Sequence, residues 1–404
     1  MAGKNEKAKR GYLTGREIRE IAKANAKEIR RLEAYKNRKA PESEFTTEMR
    51  DPDNILEIED LHTYFFTEQG VVKAVNGVSY NVPKHSVVGV VGESGCGKSV
   101  TSMSVMRLIQ GPTGQIVDGN IRFHSKDFAR DAKGNPMLAE DGSYVMEEKV
   151  YDIAKMPIRE IHRLRGKQIS MIFQEPMTSL NPVFTIGQQL DEVTLIHIPG
   201  ATKQMAKDKT YEMLQLVGII PENVYDRFPH ELSGGMRQRV MIAMALAAQP
   251  RLIIADEPTT ALDVTIQAQI LELLQDIKNK IDGSILLITH DLGVIAEMAD
   301  YVVVMYAGKV IEKGTVMEIF QDPRHPYTIG LQKSKPTMGL DDGTELYNIP
   351  GNVPNPINMP AHCYFKERCA SCTAKCSGGY PGMVQVSPTH FVACHLYSEE
   401  ENHG

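Results

Sequence analysis

Residues 92–99, Gly92-Glu93-Ser94-Gly95-Cys96-Gly97-Lys98-Ser99, stand between a β-branched run, Val87-Val88-Gly89-Val90-Val91, and an apolar helix-like stretch, Val100–Ile109. A strand, a glycine-rich turn and a helix in that order commit the chain to an α/β core with the turn at a sheet edge. The glycines let successive N–H groups converge on one anion, and the following helix directs its positive end at the same point. Gly92, Ser94, Gly95, Gly97 and Val100 form the candidate cradle for nucleotide phosphates; Lys98 would reach the β- and γ-phosphates and Ser99 would ligate Mg²⁺. Cys96 lies inside the cradle, where Ser or Ala would serve as well, and reads as a small filler rather than a nucleophile.

With 404 residues, 42% of them hydrophobic, the chain can bury a sizeable core. No apolar run approaches the roughly 18–20 residues of a membrane span, and the N-terminus lacks a signal-peptide core. The longest candidate, Val240–Ala248, ends at Gln249-Pro250-Arg251. Any membrane role is therefore expected to come through partners. The net charge of −6 hides a basic N-terminus, where residues 1–40 hold thirteen Lys or Arg against five Glu. Beyond it there is no broad basic stripe, so no nucleic-acid partner is expected.

Residues 1–53 read as a basic N-terminal extension and linker. Thr14-Gly15-Arg16-Glu17 has the form of a capping box, and Ile18, Ile21, Ile29 and Leu32 share one helical face. The helix is either solvated or disordered, or meets anionic lipid or a partner's loop. Residues 54–322 read as an α/β domain with a helical section at about 175–245. Residues 125–155, with Asp127, Arg130, Asp131, Lys133-Gly134-Asn135-Pro136 and Glu140-Asp141-Gly142, read as a surface insertion. Residues 323–404 are Pro- and Gly-rich and read as a small irregular module.

Leu252-Ile253-Ile254-Ala255-Asp256-Glu257 is an apolar strand ending in two acids, which puts both carboxylates at a sheet edge beside the phosphate loop. Asp256 suits Mg²⁺ held through water, and Glu257 suits the orientation and deprotonation of an attacking water. Ser284–Ile288 is a second buried strand, after which His290 can reach a γ-phosphate. Leu232-Ser233-Gly234-Gly235-Met236 opens an apolar helix and forms a second anion-binding nest. A second nest makes sense if Ser233, Gly234 and Gly235 serve the nucleotide of another subunit.

The phosphate loop, Gln174 in Ile172-Phe173-Gln174-Glu175-Pro176, the Leu232–Arg239 signature, the strand ending at Asp256-Glu257, Ala261-Leu262-Asp263 and His290 occur in the order of ATP-binding cassette (ABC) ATPases. Met177–Pro182, His325-Pro326-Tyr327 and Ile349–Pro354 followed by cysteines resemble the ATPase subunits of oligopeptide and dipeptide permeases, of the D type. The resemblance spans roughly residues 54–397. It implies an α/β fold: a RecA-like core with antiparallel β- and helical subdomains and a small irregular Cys-rich C-terminal module. It places Gln174 between Mg²⁺, the γ-phosphate and a transmembrane partner, and Asp263 in a loop that communicates across an ATPase dimer. Where the wider superfamily commonly has Gln after the two glycines, this chain has Met236. An aromatic of the first strand should stack on adenine; Phe65 is the choice, with Tyr64 and Phe66 as rivals.

Five of the six cysteines fall between Cys363 and Cys394. A nucleotide-binding loop implies a reducing compartment, so metal ligation leads over disulfides. Cys363, Cys369, Cys376 and Cys394 match the four-cysteine pattern of these permease ATPases, which implies a [4Fe–4S] cluster. By ligand type Zn²⁺ is equally suited, with His362, His390 and His395 as further donors and Cys372 as a surplus thiol. A module without metal also stays open.

The expectation is thus an ATP- and Mg²⁺-dependent ATPase on the cytoplasmic face of the cell membrane. It would pair with a second ATPase subunit below two transmembrane permease subunits and import oligopeptides or dipeptides delivered by an extracytoplasmic binding protein. Import of nickel or another small solute, a soluble cassette acting in DNA repair or translation, and a non-hydrolysing regulatory cassette are the alternatives.

Overall fold

The computed structural model describes residues 13–129, 131, 136–260, 263–280, 283–334, 347–357 and 359–398. Helix α1 (Gly15–Lys36) is followed by strands β1 (Thr46–Thr47), β2 (Asn54–Thr67) and β3 (Gly70–Pro83). Next come β4 (Val87–Val91), helix α2 (Lys98–Val105), β5 (Gly114–Phe128), β6 (Met146–Asp152) and β7 (Ile169–Ile172). A helical section holds α3 (Pro176–Ser179), α4 (Ile186–His197), α5 (Lys203–Leu216) and α6 (Gly234–Leu246). Strands and helices then alternate: β8 (Leu252–Asp256), α7 (Val264–Lys280), β9 (Ser284–Ile288), α8 (Leu292–Met298) and β10 (Tyr301–Tyr306). The chain closes with β11 (Lys309–Thr315), α9 (Val316–Gln321), α10 (Pro326–Lys333), β12 (Val384–Gln385) and β13 (Phe391–Val392).

The main sheet runs β12-β13-β11-β10-β4-β9-β8-β7 among the described residues, and β10, β4, β9, β8 and β7 are parallel neighbours. Strands β4, β8 and β9 are buried along their whole length, as parallel strands covered on both faces must be. Successive side chains alternate between two cores. Val87 and Val91 join Ile253, Leu287 and the helices on one side, while Val88 and Val90 join Ile254, Leu286 and the antiparallel sheet on the other. Gly89 lets α8 pack directly on β4, since a Cβ there would lie 2.5 Å from Ile295 Cδ1.

The second sheet is antiparallel, in the order β1-β6-β5-β2-β3. It sharpens two sequence expectations. Both flanks of segment 125–155, expected as a surface insertion, are strand: β5 pairs with β6 as far as Phe128 with Met146, and Ala129 and Val145 continue the ladder. Among the described residues, Asp141-Gly142 mark a turn and cross-strand pairing decides the flanks; Arg130 and Lys133-Gly134-Asn135 lie outside the described residues. The basic helix also has its place. Thr14 caps α1 in the expected capping box, Leu32 is buried, the Asn25 amide donates to Thr67 O at 2.9 Å, and Ile158 N–H donates to Lys36 O at 3.0 Å. Its apolar stripe is met by the chain's own sheet.

The C-terminal segment is not a separate irregular module. Strands β12 and β13 extend the main sheet beyond β11, Ile349, Tyr364 and Phe365 belong to the helix-side core, and Lys73 N–H donates to Pro356 O at 3.2 Å. Proline and glycine density signalled missing helix. It carried no information about where the segment docks.

Candidate active site

Strand β4 lies between β10 and β9 in the parallel part of the sheet, and the phosphate loop leads from its C-terminal end into α2, the position at which open α/β sheets bind ligands. Gly97 has φ +104°, and a Cβ on it would lie 2.5 Å from Ala74 O, so the close turn requires glycine. Lys98 Nζ donates to Gly92 O at 2.7 Å and Glu93 O at 3.2 Å. Cys96 is buried beneath the loop, and burial pushes its thiol up, toward the protonated form. That fits a filler.

A cavity of about 500 Å³ opens over the loop, lined by Ala74, Ser94, Gly95, Gly97, Lys98, Ser99, Val100, Gln174, Glu257 and His290. Three separate strand ends supply the last three residues: Gln174 follows β7, Glu257 follows β8 and His290 follows β9. They form a connected set. Glu257 Oε2 accepts from Gln174 Nε2 at 3.0 Å and from Thr260 Oγ1 at 2.8 Å, and Glu257 Oε1 lies 3.4 Å from His290 Nδ1. Glu257 has φ +46°, a left-handed conformation that costs a non-glycine residue about 1–3 kcal/mol and concentrates at functional sites. Its N–H donates to Ile288 O at 2.8 Å, which holds it in that conformation.

Ser99 Oγ donates to Asp256 Oδ1 at 3.0 Å. Burial pushes the Asp256 carboxyl up to about 6, against the opposing Ser99 bond. A hydroxyl and a buried carboxylate beside a phosphate loop are hard oxygen donors, and they fit Mg²⁺.

The structure does not bring every candidate to this cavity. Phe65 lies half-buried on β2, and its ring packs where a Cβ on Gly114 would fall, 2.8 Å from Phe65 Cε1. It is not among the lining residues. Tyr64 turns its hydroxyl to Asn76 Oδ1 at 2.8 Å, and Phe66 is buried. Ser233 caps α6, accepting from Met236 N–H at 3.3 Å; Ser233 and Gly234 are exposed and Gly235 half-exposed, away from the cavity. Asp263 caps α7 through Ile266 N–H at 2.9 Å, and Ala261 and Leu262 lie outside the described residues. Sequence reasoning missed Thr260, whose only signal was its place just after the two acids. It also missed Tyr327 and Arg368, which reach the phosphate loop from far along the chain: Tyr327 OH accepts from Glu93 N–H at 2.8 Å and Arg368 pairs with the Glu93 carboxylate.

The cysteine expectation needs correction. Cys363, Cys369, Cys376 and Cys394 lie within one another's electrostatic reach, yet among the described residues no group of three or more His, Cys, Asp or Glu is placed to hold a metal ion. Burial pushes the Cys363 and Cys369 thiols up and that of Cys394 to about 11. Cys376 is lowered: burial opposes the shift, and hydrogen bonds from Thr373 outweigh it. His390 Nε2 lies 2.8 Å from Glu312 Oε1 and His395 Nε2 lies 3.0 Å from Gly379 O. The residues as arranged do not fit an iron–sulfur cluster or zinc.

Residues 75–260 match the family model described as ABC transporter, and residues 311–376 match that of the oligopeptide/dipeptide transporter C-terminal region. The oligopeptide transport ATP-binding protein AppD of Bacillus subtilis is 46% identical over 349 residues, 86% of this chain and 98% of that protein. The oligopeptide transport ATP-binding protein OppD of the same organism is 48% identical over 339 residues, 84% of this chain and 87% of that protein. A dimeric ATP-binding cassette, MJ0796, solved with ADP and Pi, superposes with a TM-score of 0.52 at 21% identity, over 65% of this chain and 98% of that one. At that identity the likeness speaks for the fold.

Proposed function

The chain belongs to the ATP-binding proteins of oligopeptide and dipeptide ABC transporters, and from that premise we propose that it hydrolyses ATP to drive peptide import. The observation that carries the proposal is the set of Gln174, Glu257 and His290, drawn from three strand ends and facing Lys98 and Ser99 across one cavity. Acid–base and phosphate-binding groups converge there.

The loop N–H groups and Lys98 hold the phosphates. Ser99 and Asp256 would hold Mg²⁺, which when bound offsets charge on the β- and γ-phosphates. Glu257, aimed by Thr260 and Gln174, orients the attacking water and takes its proton. His290 and Gln174 contact the γ-phosphate side of the site, and Gln174 passes its state to the membrane partner.

Ser233, Gly234 and Gly235 clasp ATP bound by a second ATPase subunit, with Asp263 at the contact between the two. ATP thereby gains contacts available only in the closed pair, and that differential affinity closes it. Hydrolysis reopens it. The subunit is peripheral, on the cytoplasmic face beneath two permease subunits, and an extracytoplasmic binding protein delivers the peptide; among the described residues no helix is long and apolar enough to cross a membrane. No step runs through an iron–sulfur cluster or zinc. Nothing in the site favours nickel import or a soluble cassette.

Isolation of the complex from membranes tests the proposal. Two permease subunits and a second ATPase should co-purify, and a peptide-loaded binding protein should stimulate ATP turnover. A chain recovered alone, or turnover indifferent to peptide, overturns it.

A further inference from the structure

Glu93 is a carboxylate inside a loop that binds anions. Its charge is met by Arg368, a residue 275 positions away, through Nη1 to Oε2 at 2.7 Å and Nη2 to Oε1 at 3.0 Å. The guanidinium is itself fixed: Nε donates to Pro350 O at 2.9 Å, and the side chain is 5% exposed against 27% for Glu93. From the same C-terminal region, Tyr327 OH accepts the Glu93 N–H at 2.8 Å. Glu93 is consequently held at both backbone and side chain, and its carboxylate stays off the cavity lining.

We infer that Arg368 is a positioning residue for the nucleotide. By neutralising Glu93 and fixing it away from the cradle, it sets ATP affinity and makes the C-terminal segment part of the nucleotide site. An unpaired carboxylate next to the cradle repels phosphate oxygens, and in a half-buried site that repulsion is screened far less than in water. A planar, permanently charged, bidentate partner removes it, and lysine can do so only as a point charge. This inference rests on the ATPase reading above.

The charge argument predicts opposite signs for the two single variants. In the full-length chain, Arg368→Gln should raise the Kd and KM for ATP about tenfold with kcat within about twofold, because it leaves Glu93 unpaired. Glu93→Gln should lower the Kd for ATP about threefold, because it leaves a guanidinium facing the loop without a counter-charge. The double variant should return within about twofold of wild type, Arg368→Lys should fall between wild type and Arg368→Gln, and added salt should shrink every difference. Titration with a fluorescent ATP analogue reads the Kd, and steady-state turnover separates KM from kcat. Two single variants that weaken binding alike, with a double variant no better, would mean a merely structural pair and overturn the inference; so would an Arg368→Gln variant that binds as wild type. Should Arg368→Gln not fold, the sign of the Glu93→Gln effect decides alone. Lys98→Ala is the control for the reading beneath. A wild-type chain that binds ATP no better than Lys98→Ala fails the ATPase reading itself, whereas a Lys98-dependent chain with no Glu93 or Arg368 effect fails only the inference.

Discussion

The phosphate loop and the cysteine-bearing segment are both short, glycine-containing stretches with chemistry-bearing side chains, yet only the first is already shaped for its ligand. The loop's course is set largely by the end of β4, by α2 and by its own glycines, residues close in sequence, with Tyr327 and Arg368 holding Glu93 from far along the chain. Cys363, Cys369, Cys376 and Cys394 are brought near one another by packing, two half-buried and two buried, but among the described residues no three of them are placed to share a metal ion. A residue pattern becomes a site where backbone geometry is locally dictated. Elsewhere it is only a composition.

The sharpest way to break this contrast is Glu257→Gln. It removes the proposed base while keeping the side-chain shape, so hydrolysis should fall about 10²–10⁴-fold with ATP binding retained, read by phosphate release beside nucleotide titration. Unchanged turnover would mean that the preformed edge is not where the chemistry occurs.

A smaller effect should separate the two regions by pH. His325 caps α10 by accepting from Tyr327 N–H at 3.0 Å, and burial pushes its imidazole from 6.5 down to about 4. The folded chain keeps the ring neutral while the unfolded chain protonates near 6.5, so this stability is present above that pH and is lost as pH falls toward 4. Thermal melts should show a falling midpoint across that window, and His325→Asn, which keeps an acceptor at the cap, should have a flatter slope than wild type. Equal slopes would remove His325 from the docking of the C-terminal segment.

Least of all should follow from Cys372→Ser. The thiol is exposed, so the change should stay within about 0.5 kcal/mol in a denaturant titration. A larger loss would show that the cysteine group is more tightly organised than its packing indicates.

The nucleotide edge was legible because each part has a local signature: β-branched strands, acids or histidine just beyond them, and glycines at the turns. The docking of α1 was half legible, since the capping box and apolar stripe announced a helix without naming the sheet that covers it. The strand pairing on the flanks of segment 125–155 was not legible beside its turn formers, and Pro and Gly density in the C-terminal segment does not tell that β12 and β13 join the main sheet.

By itself, the sequence determined the parallel α/β core, the phosphate loop at its edge and the carboxylates beside it, because hydrophobic period and glycine placement act over a few residues. Only the tertiary structure decided that Gln174, Glu257 and His290 share a cavity, that β12 and β13 join the main sheet, and that Arg368 meets Glu93. Those contacts join residues far apart along the chain. Their partners are chosen by packing and charge once the sheet has formed, and no local pattern carries that choice.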